Sequence, residues 1–146
     1  MNSSKHIIED RQYFEDSTPD QVQAIKERVF LYSPNIVYFK QIPMSSPFSN
    51  NLMFDMIEHY IKDIENVGVL FDVSIAKVPD PPSRRTINQR FAGLSNSISY
   101  ASYYNEGNVL IEAAARFTQS FAKRPKYSIH ASLDTAIETI NKNLGL

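Results

Sequence analysis

Residues Val67 to Val73 constrain the fold of this chain more than any other stretch, because Val69, Leu70 and Phe71 follow one another with no polar residue between them. A strand with one face in water alternates apolar and polar side chains. A run without alternation is what a strand covered by helices on both faces requires, and such strands sit centrally in parallel sheets. In open α/β sheets, ligands and partners meet the protein just beyond the carboxyl ends of the strands, so the turn after Asp72 is the first place to look for function. That turn runs through Val78 to the prolines Pro79, Pro81 and Pro82, and it delivers Ser83, Arg84 and Arg85.

The segments on either side supply the rest of an α/β order. Thr18, Pro19, Asp20 and Gln21 give a capping hydroxyl, a proline where its missing N–H does not matter and an acceptor three residues after the cap. They predict a short helix with Val22, Ile25 and Val29 on one face. Val29 to Tyr32 and Ile36 to Ile42 have strand chemistry, and Ser33, Pro34 and Asn35 between them read as the turn of a hairpin. After a Pro-, Ser- and Asn-rich loop, Leu52, Met53, Met56, Ile57, Tyr60, Ile61 and Ile64 recur at helical spacing. Ile87, Phe91 and Leu94 mark a helix from Ser83 to Leu94, and Ile98 to Tyr104 reads as a strand rich in β-branched and aromatic residues. Val109, Leu110, Ala113, Ala114, Phe117 and Phe121 predict a helix over Asn108 to Ala122 with that stripe turned to the sheet. Tyr127 to Ala131 is a last strand, and Ser132 caps a final helix whose Leu133, Ala136, Ile137, Ile140 and Leu144 face inward. The expected architecture is one α/β domain over residues 31–146, a four- or five-stranded mixed, largely parallel sheet packed with about four helices. Residues 1–30 precede it as an arm and a short helix.

Composition removes several function classes. At 146 residues the chain suits one ordinary domain, and its net charge of -1 gives no general attraction to nucleic acid or to an anionic membrane. The absence of cysteine excludes disulfides, thiolate metal sites and a cysteine nucleophile, and fits a reducing compartment. No stretch approaches the roughly 20 apolar residues of a membrane span, and the start lacks the pattern of a secretory signal. The expected location is the cytoplasm. His6, His59 and His130 are dispersed, and Ile42 to Ser46 offers no carboxylate with which Asp72 could share a magnesium ion. No metal, cofactor or catalytic constellation is expected, and Asp72 is expected to accept hydrogen bonds from the backbone of its own turn.

Val69, Leu70, Phe71, Asp72, Val73 and Ser74, with Asp80 in the turn beyond, resemble the STAS domain of sulphate transporters and anti-sigma factor antagonists. In that family a strand ending in an Asp-Leu-Ser-like triplet runs into a turn whose Asp is followed by a phosphorylated Ser or Thr. Asp80 occupies the position of that Asp, but Pro81 and Pro82 follow it, so the usual phosphoacceptor is missing and Ser83 lies two residues too late. The segments Asn108 to Phe121 and Tyr127 to Ile140, with the alanine run before Arg116 and Phe117, are similar to the helix, strand and helix of divergent bacterial STAS-like proteins. The resemblance covers about Ile36 to Leu144, and it implies a non-catalytic regulatory module that docks onto a protein partner.

The residues expected to carry that role are Lys77, Asp80, Ser83, Arg84 and Arg85 in the proline turn, with Asn105 and Asn108 in the next strand-to-helix turn. Both turns follow the carboxyl ends of strands that should be neighbours. Arginines beside a helix start suit an anion or an acidic partner, and only Ser83 or Thr86 offers a hydroxyl to a kinase acting there. The alternative is a carrier that holds a small ligand or lipid in a cavity of the same fold.

Overall fold

The structure, a computed structural model, describes residues 7–120 and 125–146. Its elements run α1 (Pro19–Lys26), β1 (Val29–Ser33), β2 (Ile36–Lys40), α2 (Pro47–Ile61), β3 (Gly68–Asp72), α3 (Pro81–Leu94), β4 (Tyr100–Tyr104), α4 (Val109–Gln119), β5 (Lys126–His130) and α5 (Leu133–Leu144). The sheet has five strands in sequential order, β1-β2-β3-β4-β5. β1 is antiparallel to β2, and the other three pairings are parallel. β3 is therefore the middle strand, and all of its residues are buried.

The unbroken apolar run of β3 serves two cores at once. Val69 and Phe71 point to the side where Met53, Phe54 and Ile57 of α2 and Phe91 of α3 pack, together with Val37, Phe39, Ala101 and Tyr103 of the neighbouring strands. Leu70 points to the opposite side, where Ile36, Tyr38 and Tyr100 meet Ala136, Ile140 and Leu144 of α5. The arm before α1 belongs to the first core: Tyr13 is fully buried and packs with Ile25 of α1.

Three helices start in the same way, with a capping side chain followed by proline: Thr18 and Pro19, Ser46 and Pro47, Asp80 and Pro81. The cap side chain accepts a free N–H of the first turn, and the proline has none to leave unsatisfied. α2 accordingly begins at Pro47 rather than Leu52, with Ser46 and Ser49 completing a reciprocal capping box, and it ends at Ile61 rather than Ile64. α3 begins at Pro81 rather than Ser83, and its cap is Asp80, whose side chain accepts from the Ser83 N–H at 3.0 Å.

α4 presents a different face from the expected one. Ile111, Ala115 and Gln119 are buried, while Val109 and Leu110 are 74% and 68% exposed and Phe117 is half exposed. The stripe that should have met the sheet lies largely in solvent. The apolar side chains of this helix cover a broad arc opposite Glu112 and Arg116, its one charged ridge, and the edge of that arc through Ile111 and Ala115, rather than its middle, meets the sheet. The expected last turn, residues 121–122, lies outside the described residues.

Candidate functional site

The carboxyl ends of β2, β3 and β4 form one continuous edge. Backbone bonds extend the ladder past the strands: the Gln41 N–H donates to the Asp72 carbonyl at 2.9 Å, Val73 to Tyr104 at 2.9 Å and Asn105 to His130 at 3.1 Å. The proline turn and the Asn105 turn are thereby set side by side, as their positions after neighbouring strands require.

Under this edge Phe71 sits at the centre of an aromatic cluster. Its ring lies 5.3 Å from Phe39, 5.9 Å from Phe91 and 5.0 Å from Tyr103, and Phe39 lies 5.4 Å from Phe54. Tyr103 stacks nearly parallel on Phe71 and donates its hydroxyl to Gln119 Oε1 at 3.2 Å, and burial raises its pKa. These rings floor a groove of about 80 Å³ that is walled by Ile87 of α3 and by Ile111, Ala114 and Thr118 of α4. Its mouth is formed by Ser45, Val73, Ala76, Lys77 and Pro79.

The side chains around the mouth are mostly committed to holding the turns. Asp72 is buried; its Oδ1 accepts from the Ser74 N–H at 3.0 Å and hydroxyl at 2.7 Å, and its Oδ2 accepts from the Tyr38 hydroxyl at 2.5 Å. Burial first, and then that bond to Asp72, raises the Tyr38 pKa. Asp80 caps α3 and also accepts from Gln12 Nε2 at 2.9 Å, and these bonds, that to Ser83 foremost, hold its carboxyl below the usual carboxylate range. Ser83 is fully buried and donates its hydroxyl to the Ser45 carbonyl at 3.0 Å, so the hydroxyl expected to meet a kinase is turned into the protein. Thr86 is half-buried and donates back to the Pro82 carbonyl at 3.3 Å. Asn105 is buried, with Oδ1 accepting from the Gly107 N–H at 2.8 Å, and Asn108 caps α4. Together they fold a turn in which Glu106 and Gly107 both take left-handed conformations, φ 54° and 84°.

Arg84 and Arg85 are the cations of the turn without an ion pair among the described residues. They point apart. Arg84 is half-buried and lies one turn before Asn88, whose buried Oδ1 has no hydrogen-bond partner among the described residues. Arg85 is exposed.

The arm is the contribution to this edge that sequence reading missed. Gln12 donates to both the Ser45 carbonyl and Asp80 at 2.9 Å, Asp10 pairs with Lys77 at 2.7 Å, and the Ser46 hydroxyl donates to the Tyr13 carbonyl. The hint in the sequence was the scatter of Ile7, Ile8, Tyr13 and Phe14 through a polar stretch, of which Tyr13 is buried and Ile8 packs against the first core.

A second polar cluster lies under α5. Ser102 donates to the Ala136 carbonyl at 3.0 Å, and Ser128 is 2.6 Å from His130 Nε2. Among the described residues this serine and histidine pair has no carboxylate partner, and burial lowers the His130 pKa. A lowered value means that the folded chain resists a proton that the unfolded chain accepts near pH ~6.5, so stability is full above that pH and falls below it. Urea midpoints measured between about pH 7.5 and 5.5 should therefore decline more for the parent than for His130→Gln. Equal declines would remove His130 from the pH dependence. Among the described residues no three His, Asp or Glu side chains converge as a metal site, and no helix is long and apolar enough to cross a membrane.

No family model matches this chain, and no curated protein matches it. Among solved structures it is similar to an uncharacterized protein of the DUF3478 family from Shewanella loihica PV-4, described as having a SpoIIAA-like fold. The TM-score is 0.62 at 12% identity, over 77% of this chain and 90% of that one. The antiparallel entry hairpin, the parallel strands after it and the helices on both faces are accordingly those of a SpoIIAA-like fold, and the chain is STAS-like in architecture.

Proposed function

We propose that this chain is a non-catalytic docking module of STAS-like type, and that its protein partner seats one apolar side chain in the groove between α3 and α4. The size of the groove carries the reading. Sites for drug-sized ligands run to about 300–1,000 Å³, whereas about 80 Å³ is available here, which suits a single aliphatic side chain. Leu110, exposed one turn before the groove-lining Ala114, extends the apolar surface that a protein would cover. The prolines of the turn restrict its conformation before binding and so lower the ordering cost of association. A small apolar ligand is the second reading, favoured by the ring-lined inner end of the groove, where Phe39, Phe54, Phe71, Phe91 and Tyr103 converge.

Ala114→Leu tests the assignment by adding bulk to the groove wall from within. Stability should stay level or rise by up to ~1 kcal/mol, as for other cavity-filling changes. Proteins that the parent retains in affinity capture from source cells should be lost by the variant. Proteins retained equally by both would place docking elsewhere. A bound mass seen in native mass spectrometry of the parent and absent from the variant would put the small-ligand reading first.

A further inference from the structure

We infer that the seat beside the groove takes an acidic peptide segment, held by Arg84 and Lys77, and that the chain's own arm occupies part of that seat until a partner displaces it. The inference rests on the docking reading above and specifies the partner's chemistry.

The arm shows what the edge accepts. It crosses the turn without forming helix or strand, sets the Asp10 carboxylate on Lys77 at 2.7 Å and spans Ser45 and Asp80 with Gln12. Its exposed side chains include Glu9, Asp10, Glu15 and Asp16 against one cation, Arg11, so the segment that already lies here is acidic on balance. Its hold is exchangeable. Both partners of the Asp10 and Lys77 pair are more than half exposed, 57% and 59%, and pairs of that kind are worth about 0–1 kcal/mol.

The charge left behind when the arm moves decides what replaces it. Lys77 would lose its Asp10 partner, and the carboxylate that Arg84 acts on, Asp80, is already committed to the α3 cap. Arg84 is the stronger recognition group: it is half-buried, has no ion pair among the described residues and offers the forked donors that match a carboxylate. An acidic segment with one apolar residue would pair with Arg84 and Lys77 while its apolar side chain enters the groove.

The test is to pan a random peptide library of about 12 residues, displayed on phage, against the full chain. Binding of the enriched peptides is then measured by fluorescence polarisation. Enriched sequences should carry two or more Asp or Glu around a Leu, Ile, Val or Met. Arg84→Glu should weaken them at least tenfold, about 1.4 kcal/mol, and Asp10→Asn, which loosens the arm from Lys77, should tighten them a few-fold. If Arg84→Glu fails to fold by circular dichroism, Arg84→Gln serves, with a smaller loss in the same direction. Enriched peptides without an acidic excess, or peptides indifferent to Arg84, overturn the inference. If such neutral peptides are still lost with Ala114→Leu, groove docking stands without the acidic segment; if no peptide is enriched, both readings fail.

Discussion

Phe71→Asp should abolish cooperative folding, the largest effect expected of a single change in this chain. Phe71 is 5% exposed in the middle strand and is ringed by Phe39, Phe91 and Tyr103 at 5.0–5.9 Å. Removing a core phenylalanine costs about 3–5 kcal/mol through lost contacts and the cavity left behind. The carboxylate adds the penalty of an unpaired buried charge, several kcal/mol unless it takes up a proton. A domain of this size has about 5–15 kcal/mol in total, so the sum reaches the whole stability. Phe71→Leu keeps an apolar side chain there and should cost far less, about 1–2 kcal/mol, while enlarging the groove. Thermal melts by circular dichroism, with the dispersion of methyl resonances in a one-dimensional proton spectrum, distinguish the cases. A cooperative, near-parent melt for Phe71→Asp would contradict the burial of β3 between two helical layers.

The strands were legible because their chemistry is local. Val69, Leu70 and Phe71 announce burial on both faces, and Ser33, Pro34 and Asn35 announce a hairpin, without reference to anything distant. The starts of α2 and α3 were legible too, but in a different code. The cap and proline pairing that revealed α1 at Thr18 recurs at Ser46 and at Asp80, and there the turn-forming composition of Pro, Ser and Asn masked it. Proline in such a stretch reads as a breaker unless the residue before it can cap.

The site was less legible because its chemistry depends on contacts distant in sequence. Nothing near Gln12 indicates that it reaches Asp80, and nothing near Ser83 indicates that its hydroxyl is taken by Ser45. The face of α4 was illegible for another reason. Three alanines in succession carry little burial signal, and apolar residues on both sides of them leave the choice to whatever α3 and the sheet offer. Residues expected to bind a partner divide accordingly. Asp80, Ser83, Asn105 and Asn108 shape the turns, and Arg84, Arg85 and Lys77 remain as groups that a partner could reach.

Gly68→Val should detach α5 from the sheet, because the helix end rests on the missing side chain. A Cβ at Gly68 would stand 2.4 Å from Ile140 Cγ2 and 3.3 Å from Leu144 Cδ1. Ile140 is fully buried and β-branched, so its methyl cannot turn aside at little cost. The region is also pinned by hydrogen bonds: the Gly68 N–H donates to the Asn35 carbonyl at 2.8 Å, and Asn66 Nδ2 donates to the Leu144 carbonyl at 2.8 Å. Neither β3 nor the end of α5 can shift without breaking one of them. Overpacking of this kind costs about 1–3 kcal/mol, and valine in place of alanine should put the loss at the upper end. Ile140→Ala removes the methyl that clashes. If close approach is what requires glycine here, the double variant Gly68→Val with Ile140→Ala should be more stable than the two single losses together predict, by about 0.5–3 kcal/mol. Urea denaturation of the four proteins gives that coupling directly. Strict additivity would mean that glycine serves β3 through its backbone rather than through the space it leaves for α5.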